Sequence, residues 1–384
     1  MRIFIDTRAL DAGIISGIPA YAGNLIKNLT EEYPSNEFIF FSNSFKKRKL
    51  DPEREKIGGN GVWTDYRIPN RLLDLSSHIL DFPKIDKLIK ADVYWSPHFH
   101  ILAFKNQRKH VLTIHDLSPL FYPEYFPWRK RLWHWQQNYK KQIKTAGHIV
   151  GVSEFTRDTI LETFNLPESK VSSIYSGVDD FYKKLPSADD NLANFKKEKK
   201  LDRPFVLYVG TLEPRKNITG LIKAFNLLKQ NGKFKDLKLV LAGDNGWLYE
   251  KILREIDLSP HKEDIVRWGR AEKKDLLYLY NSASVFVYPS FFEGFGFPPL
   301  EAQASGIPVV SSDRSSLPEI LKESAILVNP WKTYELSMAM ELVLLENKTR
   351  ESLIESGYRN IQRFNWKNTA AGFMKLFEQI NSNG

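Results

Sequence analysis

Short runs of β-branched and aromatic residues recur along the chain, each followed by a helix-like stretch. This alternation limits the available folds more than any other feature of the sequence. The first half carries RIFID (2–6), EFIFF (37–41), DVYWS (92–96), HVLTIHD (110–116), HIVGVS (148–153) and KVSSIYS (170–176). The second half carries PFVLYVG (204–210), LKLVLAG (237–243), IVRWG (265–269), VFVYPS (285–290), PVVSS (308–312) and AILV (325–328). None of these runs alternates cleanly between apolar and polar positions, so the strands are expected to be buried on both faces of a sheet. Strands of that kind separated by helices predict parallel βαβ units. Two such series predict an α/β protein with two Rossmann-like domains.

The segment DDFYKKLPSADDNLANFKKEKKLDRP (179–204) is rich in charge and turn formers and has no sustained strand pattern. It divides the chain into an N-terminal domain (1–180), a linker region (181–203) and a C-terminal domain (204–365). A last helix over 366–384 follows, with Phe373, Leu376 and Ile380 at helical spacing, able to pack back on the N-terminal domain.

There are no cysteines, which removes disulfides, zinc–thiolate sites and thiol catalysis from consideration. The start, MRIFIDTRAL, lacks the apolar core of a signal peptide, and no apolar run reaches membrane-spanning length. A cytoplasmic protein is expected. The formal net charge of +9 calls for an anionic partner, whether nucleic acid, anionic lipid or a phosphorylated small molecule.

The stretch FFEGFGFPPLEAQASGIPVV (291–310) carries the strongest chemical signal. VFVYPS reads as a strand and PPLEAQASG as a short helix, because proline is tolerated in the first helical turn and Gly306 can close the helix in a left-handed conformation. The intervening turn then lies at the carboxyl edge of a parallel sheet, where open α/β folds bind ligands. Gly294 and Gly296 let backbone approach a ligand, and the N–H groups of Phe295, Gly296 and Phe297 would form an anion site for a diphosphate. Glu301, expected in the first turn of that helix, offers two acceptor oxygens to a ribose diol. Glu293, on the other side of the glycines, would hold a second polyol. One carboxylate per diol with a phosphate clamp between them describes a nucleotide-sugar.

The E-x7-E spacing of EGFGFPPLE resembles the signature of the family 4 type of retaining glycosyltransferases, which have the GT-B arrangement of two Rossmann domains and include many bacterial mannosyltransferases. SGIPAYAGNL (16–25), VLTIHDLSPLFYPEYFP (111–127), VSEFTRDTI (152–160), IYSGVDDFY (174–182) and YVGTLEPRKNI (208–218) resemble segments of its O-antigen and exopolysaccharide branch. The resemblance covers nearly the whole chain. It implies that the two domains face across a cleft, that Arg215 and Lys216 hold the diphosphate, and that His115 contacts the donor sugar near its C6 hydroxyl. The family often places an arginine where this chain has Thr211, and Arg215 is expected to supply that charge. Gly17, in the loop DAGIISGIP (11–19), would bring backbone close to the donor phosphate. His98 and His100 are further candidates near the acceptor. No metal is expected, because no D-x-D motif occurs and no carboxylate cluster is visible in the sequence beside the two histidines; nor is any cofactor.

The segment WRKRLWHWQQNYKKQIKTA (128–146) contains six Lys and Arg residues and no acidic ones. Leu132, Trp135, Tyr139 and Ile143 form a helical stripe expected to face the core, with Trp128 and Trp133 off it. Exposed tryptophan beside cations suits an anionic membrane surface, and FKKRK (45–49) adds a second basic cluster. The sequence therefore points to a metal-independent hexosyltransferase at the inner face of a membrane. GDP-mannose is the favoured donor, and a glycan or lipid-linked oligosaccharide the acceptor; nucleic acid is not an expected partner. The alternatives are a UDP-hexose or activated-rhamnose donor, a dinucleotide-dependent oxidoreductase, and a non-catalytic polyanion- or glycan-binding protein. The absence of G-x-G-x-x-G weighs against the oxidoreductase.

Overall fold

The structure is a computed structural model that describes residues 1–12, 17–43, 59, 61–186, 188–230 and 232–382. The chain forms two compact units. One comprises Met1–Phe121, Trp128–Gly177 and Phe364–Gly384; the other comprises Tyr122–Pro127 and Val178–Arg363. The helices that matter for the site are α1 (Gly17–Glu32), α2 (Asn70–Ile79), α3 (Trp128–Gln137), α4 (Tyr139–Thr145), α5 (Ile218–Gln230), α6 (Phe297–Ala304) and α7 (Trp366–Ser382).

In the first unit, the described residues form a seven-stranded sheet: β1 (Arg2–Asp6), β2 (Glu37–Ser42), β3 (Val62–Asp65), β4 (Val93–Ser96), β5 (His110–Ile114), β6 (His148–Gly151) and β7 (Val171–Ser173). The spatial order is β3-β2-β1-β4-β5-β6-β7, and every pairing is parallel. β4 and β5 are buried along their whole length, as the lack of alternation in their sequences requires. The strand missed by sequence reading is β3, a half-exposed edge strand of only four residues.

The basic segment after residue 128 departs from the single stripe expected of it. Asn138 adopts a left-handed conformation (φ 48°), ends α3, and caps α4 by accepting from the Lys141 N–H at 3.2 Å. The chain changes direction there. Tyr139 and Ile143 enter a core with Leu112, Ile149 and Ile160, whereas Leu132 and Trp135 stay 55% and 65% exposed. Trp133 turns inward, its ring edge-on to Phe99 and His100, while Trp128 is exposed. FKKRK (45–49) lies outside the described residues.

The C-terminal helix α7 completes the core of this first unit. Phe373 and Phe377, both fully buried, pack their rings 5.0 and 6.2 Å from that of Trp95 on β4. The Thr369 hydroxyl donates to the Tyr175 carbonyl at 2.8 Å.

In the second unit, the described residues form a six-stranded parallel sheet of β8 (Phe205–Val209), β9 (Lys238–Ala242), β10 (Ile265–Gly269), β11 (Val285–Tyr288), β12 (Val309–Ser312) and β13 (Ile326–Val328). Its order, β10-β9-β8-β11-β12-β13, reverses direction between β8 and β11. The segment 181–203, expected as a linker, is instead part of this unit. It contains the helix Asp190–Glu198, from which Phe195 packs on Trp268 and Tyr278, and Leu201 is also buried. These sparse anchors sit among charges that face solvent, which is why the segment reads as a spacer.

Because Phe373 is enclosed by aromatic neighbours, Phe373→Ala is expected to cost the first unit about 3–5 kcal/mol. Denaturant unfolding followed by Trp fluorescence measures this.

Candidate functional site

An open parallel sheet has its natural crevice where the strand order reverses, outside the carboxyl ends of the two strands concerned. In the second unit those strands are β8 and β11. β8 leads through Gly210 into a tight turn at Pro214–Lys216, after which Asn217, left-handed at φ 55°, starts α5 and donates from Nδ2 to the Pro330 carbonyl at 2.7 Å. β11 leads into residues 289–296 and then α6. The two loops are stitched directly, since the Phe291 N–H donates to the Arg215 carbonyl at 2.9 Å.

The charged residues of both loops form one buried cluster. The Lys216 ammonium donates to Glu293 Oε1 and to the Tyr288 hydroxyl, each at 2.6 Å. Arg215 Nη1 lies 3.0 Å from Glu293 Oε2 and donates to the Phe292 carbonyl at 2.6 Å. The other side of the same guanidinium donates from Nε and Nη2 to Glu213 Oε1 at 3.1 and 2.8 Å. Burial would raise the Glu293 pKa, but Arg215 and Lys216 outweigh it and hold the carboxyl down at about 2. Lys216 is lowered by burial and by the like charge of Arg215, against the pull of Glu293.

This geometry differs from the expectation drawn from sequence, which assigned Glu293 to a diol and the two cations to phosphate as separate groups. Here both Glu293 oxygens are engaged by those cations. Glu213, which sequence reading passed over, is the fourth member; its signal was an acidic residue two positions before a paired arginine in LEPRKN.

Gly296 caps α6 at φ 103°, a conformation that a side chain would strain, and an added Cβ would sit 2.9 Å from Leu317. Phe295 is buried and packs on Phe297 at 5.1 Å. The Ser316 hydroxyl donates to the Glu293 and Phe295 carbonyls at 3.0 and 3.2 Å and so fixes the course of the loop. Gly306 ends the helix region at φ 72°, as expected. Glu301 is not in the first turn of α6: the helix begins at Phe297, which places Glu301 one turn further along. The helix dipole, which acts within the first turn, therefore does not account for it. Glu301 Oε2 accepts from the buried Tyr280 hydroxyl at 2.8 Å. Burial first, and then Asp179, push its carboxyl up to about 7, despite opposing contributions from Tyr280 and Lys273.

A cavity of about 180 Å³ opens at the ends of β9 and β10, lined by Leu212, Gly243, Asp244, Asn245, Arg267, Trp268 and Gly269. A whole ligand site is usually about 300–1,000 Å³, so this space suits one part of a ligand.

In the first unit, the strand order reverses between β1 and β4. Arg8, buried after β1, pairs with Asp6 at 2.7 Å and Asp74 at 3.0 Å. His98 and His100 follow β4, each 3.7 Å from one of these carboxylates. The fold thus supplies the acidic neighbours that were not visible in sequence, but both carboxylates are already engaged by Arg8. Among the described residues, no group of three or more His, Cys, Asp or Glu is placed to hold a metal ion. His115, after β5, donates from Nε2 to the Pro97 carbonyl at 2.8 Å, and Tyr21 stands edge-on at 4.7 Å. That bond fixes the neutral tautomer with Nδ1 as an acceptor. Burial lowers the imidazole pKa, against Pro97 and Asp116, so the neutral form is the relevant one. Gly17 opens α1 at φ 64°, while residues 13–16 before it lie outside the described region.

Residues 15–180 match the Glycosyltransferase Family 4 model and residues 189–360 match Glycosyl transferases group 1. O-antigen chain mannosyltransferase B of Escherichia coli is 32% identical over 76% of this chain and 75% of its own. The chain belongs to the family 4 glycosyltransferases. Among solved structures, a sucrose-phosphate synthase from Thermosynechococcus elongatus superposes with a TM-score of 0.76 at 19% identity, covering all of both chains. Anabaena HepE in complex with UDP-glucose gives 0.70 at 15% identity, over 99% of this chain and 100% of its own. These likenesses establish the GT-B type of fold for the glycosyltransferase. No helix among its described residues is long and apolar enough to cross a membrane.

The raised Glu301 carboxyl has a signed consequence for the free glycosyltransferase. Between the ordinary value of 4.5 and about 7, the folded state binds more protons than the unfolded state, so stability falls as pH rises through that window. Thermal melts should show this decline in the wild type and a smaller one in Glu301→Gln.

Proposed function

We propose that this glycosyltransferase moves mannose from GDP-mannose to a cell-surface glycan or lipid-linked oligosaccharide, with retained anomeric configuration and without a metal. The observation that carries the reading is the joining of Glu293, Arg215 and Lys216 at the β8–β11 reversal, with Glu301 one turn into α6. A diphosphate has the charge to compete with Glu293 for Lys216 and for the inner edge of Arg215, while Glu213 keeps the guanidinium oriented. The released Glu293 oxygens would accept from sugar hydroxyls. Glu301 would accept from the ribose diol, and the base would occupy the cavity beside Trp268. The Phe295, Gly296 and Phe297 backbone and Gly17 would lie near the phosphates.

In the proposed step, the bond from the anomeric carbon to the diphosphate oxygen breaks and a bond to the acceptor oxygen forms on the same face. The leaving phosphate takes the acceptor's proton. The two cations stabilise charge growing on the diphosphate, and positioning supplies the rest of the rate. The His115 Nδ1 acceptor is suited to a donor hydroxyl such as that at C6. The choice of mannose is supported by the name of the Escherichia coli relative. Metal independence is supported by the lack of D-x-D and by these fixed cations.

Thermal shift with GDP, UDP, GDP-mannose and UDP-glucose, followed by transfer assays, tests the donor. GDP-mannose should stabilise most, and stabilisation by UDP-glucose alone would overturn the assignment. Glu293→Gln is expected to lower kcat about 10²–10³-fold with nucleotide affinity largely kept, and to cost about 3 kcal/mol of stability by unbalancing the cations. Glu301→Ala should instead weaken nucleotide binding. Wild-type donor affinity should fall as pH drops through about 7, because protonation removes acceptor capacity. That profile should flatten in Glu301→Gln.

A further inference from the structure

Tyr288 is the last residue of β11, a strand paired on both sides, with β8 and β12. The sheet fixes its place. The ring is buried and stacks against those of Tyr208 on β8 and of Phe286 on its own strand, with centroids 6.0 Å away in both cases. The Ser311 hydroxyl on β12 donates to the Tyr288 carbonyl at 3.0 Å. A ring packed in this way holds its hydroxyl at one point.

Lys216 depends on its acceptors for placement, because its ammonium ends a flexible four-carbon stem. Among the described residues those acceptors are Glu293 Oε1 and the Tyr288 hydroxyl, each at 2.6 Å. An ammonium has three N–H groups, so one more remains for a ligand. The two acceptors differ in kind. Glu293 carries a full charge and sits on a loop, and in the reaction proposed above a diphosphate takes its place at Lys216. Tyr288 is neutral: burial, then Glu293 and Tyr208, raise its phenol well above the ordinary value, against Arg215. A neutral acceptor does not compete with an incoming anion for the charge of the lysine.

We propose that Tyr288 is a positioning residue of the transfer reaction, whose hydroxyl keeps the Lys216 ammonium aimed at the diphosphate once Glu293 has released it. The inference rests on the reading that a diphosphate displaces Glu293 from Lys216. Before the exchange the lysine is held by Glu293 and Tyr288; after it, by the diphosphate and Tyr288. The tyrosine is the partner common to both states. Without its hydroxyl a buried N–H group would lack an acceptor. The ammonium would then be free to shift along its stem while charge grows on the leaving diphosphate, when its position matters most.

Tyr288→Phe removes one oxygen and keeps the ring stack. It is compared with Lys216→Met, with the double variant, and with Tyr208→Phe, whose lost hydroxyl donates to the Thr211 carbonyl at 3.3 Å instead. GDP and UDP binding is measured by calorimetry, and transfer is followed from GDP-mannose, or from UDP-glucose where UDP binds more tightly. Tyr288→Phe should lower kcat about 10–100-fold and nucleotide affinity less than about fivefold, because the charge on the diphosphate is greatest as the glycosidic bond breaks. The basic limb of kcat/KM and of nucleotide affinity should also move to lower pH. Burial and Arg215 already lower the Lys216 pKa against Glu293 and Glu213, and losing an acceptor for the charged form lowers it further. In Lys216→Met the same tyrosine substitution should cost less than about twofold, since the hydroxyl acts through the lysine. Tyr208→Phe should keep the wild-type kcat and basic limb. A wild-type kcat and pH profile in Tyr288→Phe overturn the proposal, as do effects of the two substitutions that add in full. A wild type that binds neither GDP nor UDP, or binding unchanged by Lys216→Met, defeats the underlying reading of the diphosphate site and this inference with it.

Discussion

The site depends on a carboxylate held between two cations in a place where none of the three could remain alone. Glu293 is 6% exposed, and an isolated charge at that depth would cost several kcal/mol. Lys216 and Arg215 compensate it, and Glu213 balances the second cation, so the four charges sum to zero. This neutrality ties the loop after β8 to the loop after β11 across the strand-order reversal. It also sets the exchange on which a diphosphate ligand would act, since an incoming anion can take the place of one already there.

Glu301 follows the opposite logic. It has one neutral hydrogen-bond donor, Tyr280, and a nearby like charge, Asp179, so burial raises its carboxyl where the ion pairs depress that of Glu293. Two carboxylates eight positions apart in sequence are thus held at opposite ends of the acidic range by their surroundings. The divergence comes from the surroundings alone, since both groups are glutamates of one short segment.

Much of this was legible in the amino acids. The runs around 204–210, 237–243 and 285–290 announced a parallel sheet, and G-F-G-F-P-P announced a glycine-capped helix at its carboxyl edge. What local pattern could not supply was any pairing set by long-range topology. Nothing in LEPRKN says that Lys216 will meet a glutamate 77 positions later, or that Arg8 will meet Asp74. The helical stripe of 128–146 failed for a local reason. One residue, Asn138, was free to adopt the left-handed conformation, and periodicity read through it assigned Leu132 and Trp135 to the wrong side. The hidden strand β3 and the packed segment around Phe195 failed because short or charge-diluted elements carry too little pattern to be recognised.

The threading of the chain through its two units has a consequence for biosynthesis. Trp95 emerges from the ribosome well before the rings that enclose it, Phe373 and Phe377. Residues 178–363 are complete before α7 exists. Although domains are commonly finished in order from the amino end during translation, the later unit of this protein has its full complement of residues first. The earlier one must wait, with an indole uncovered, until α7 has been made.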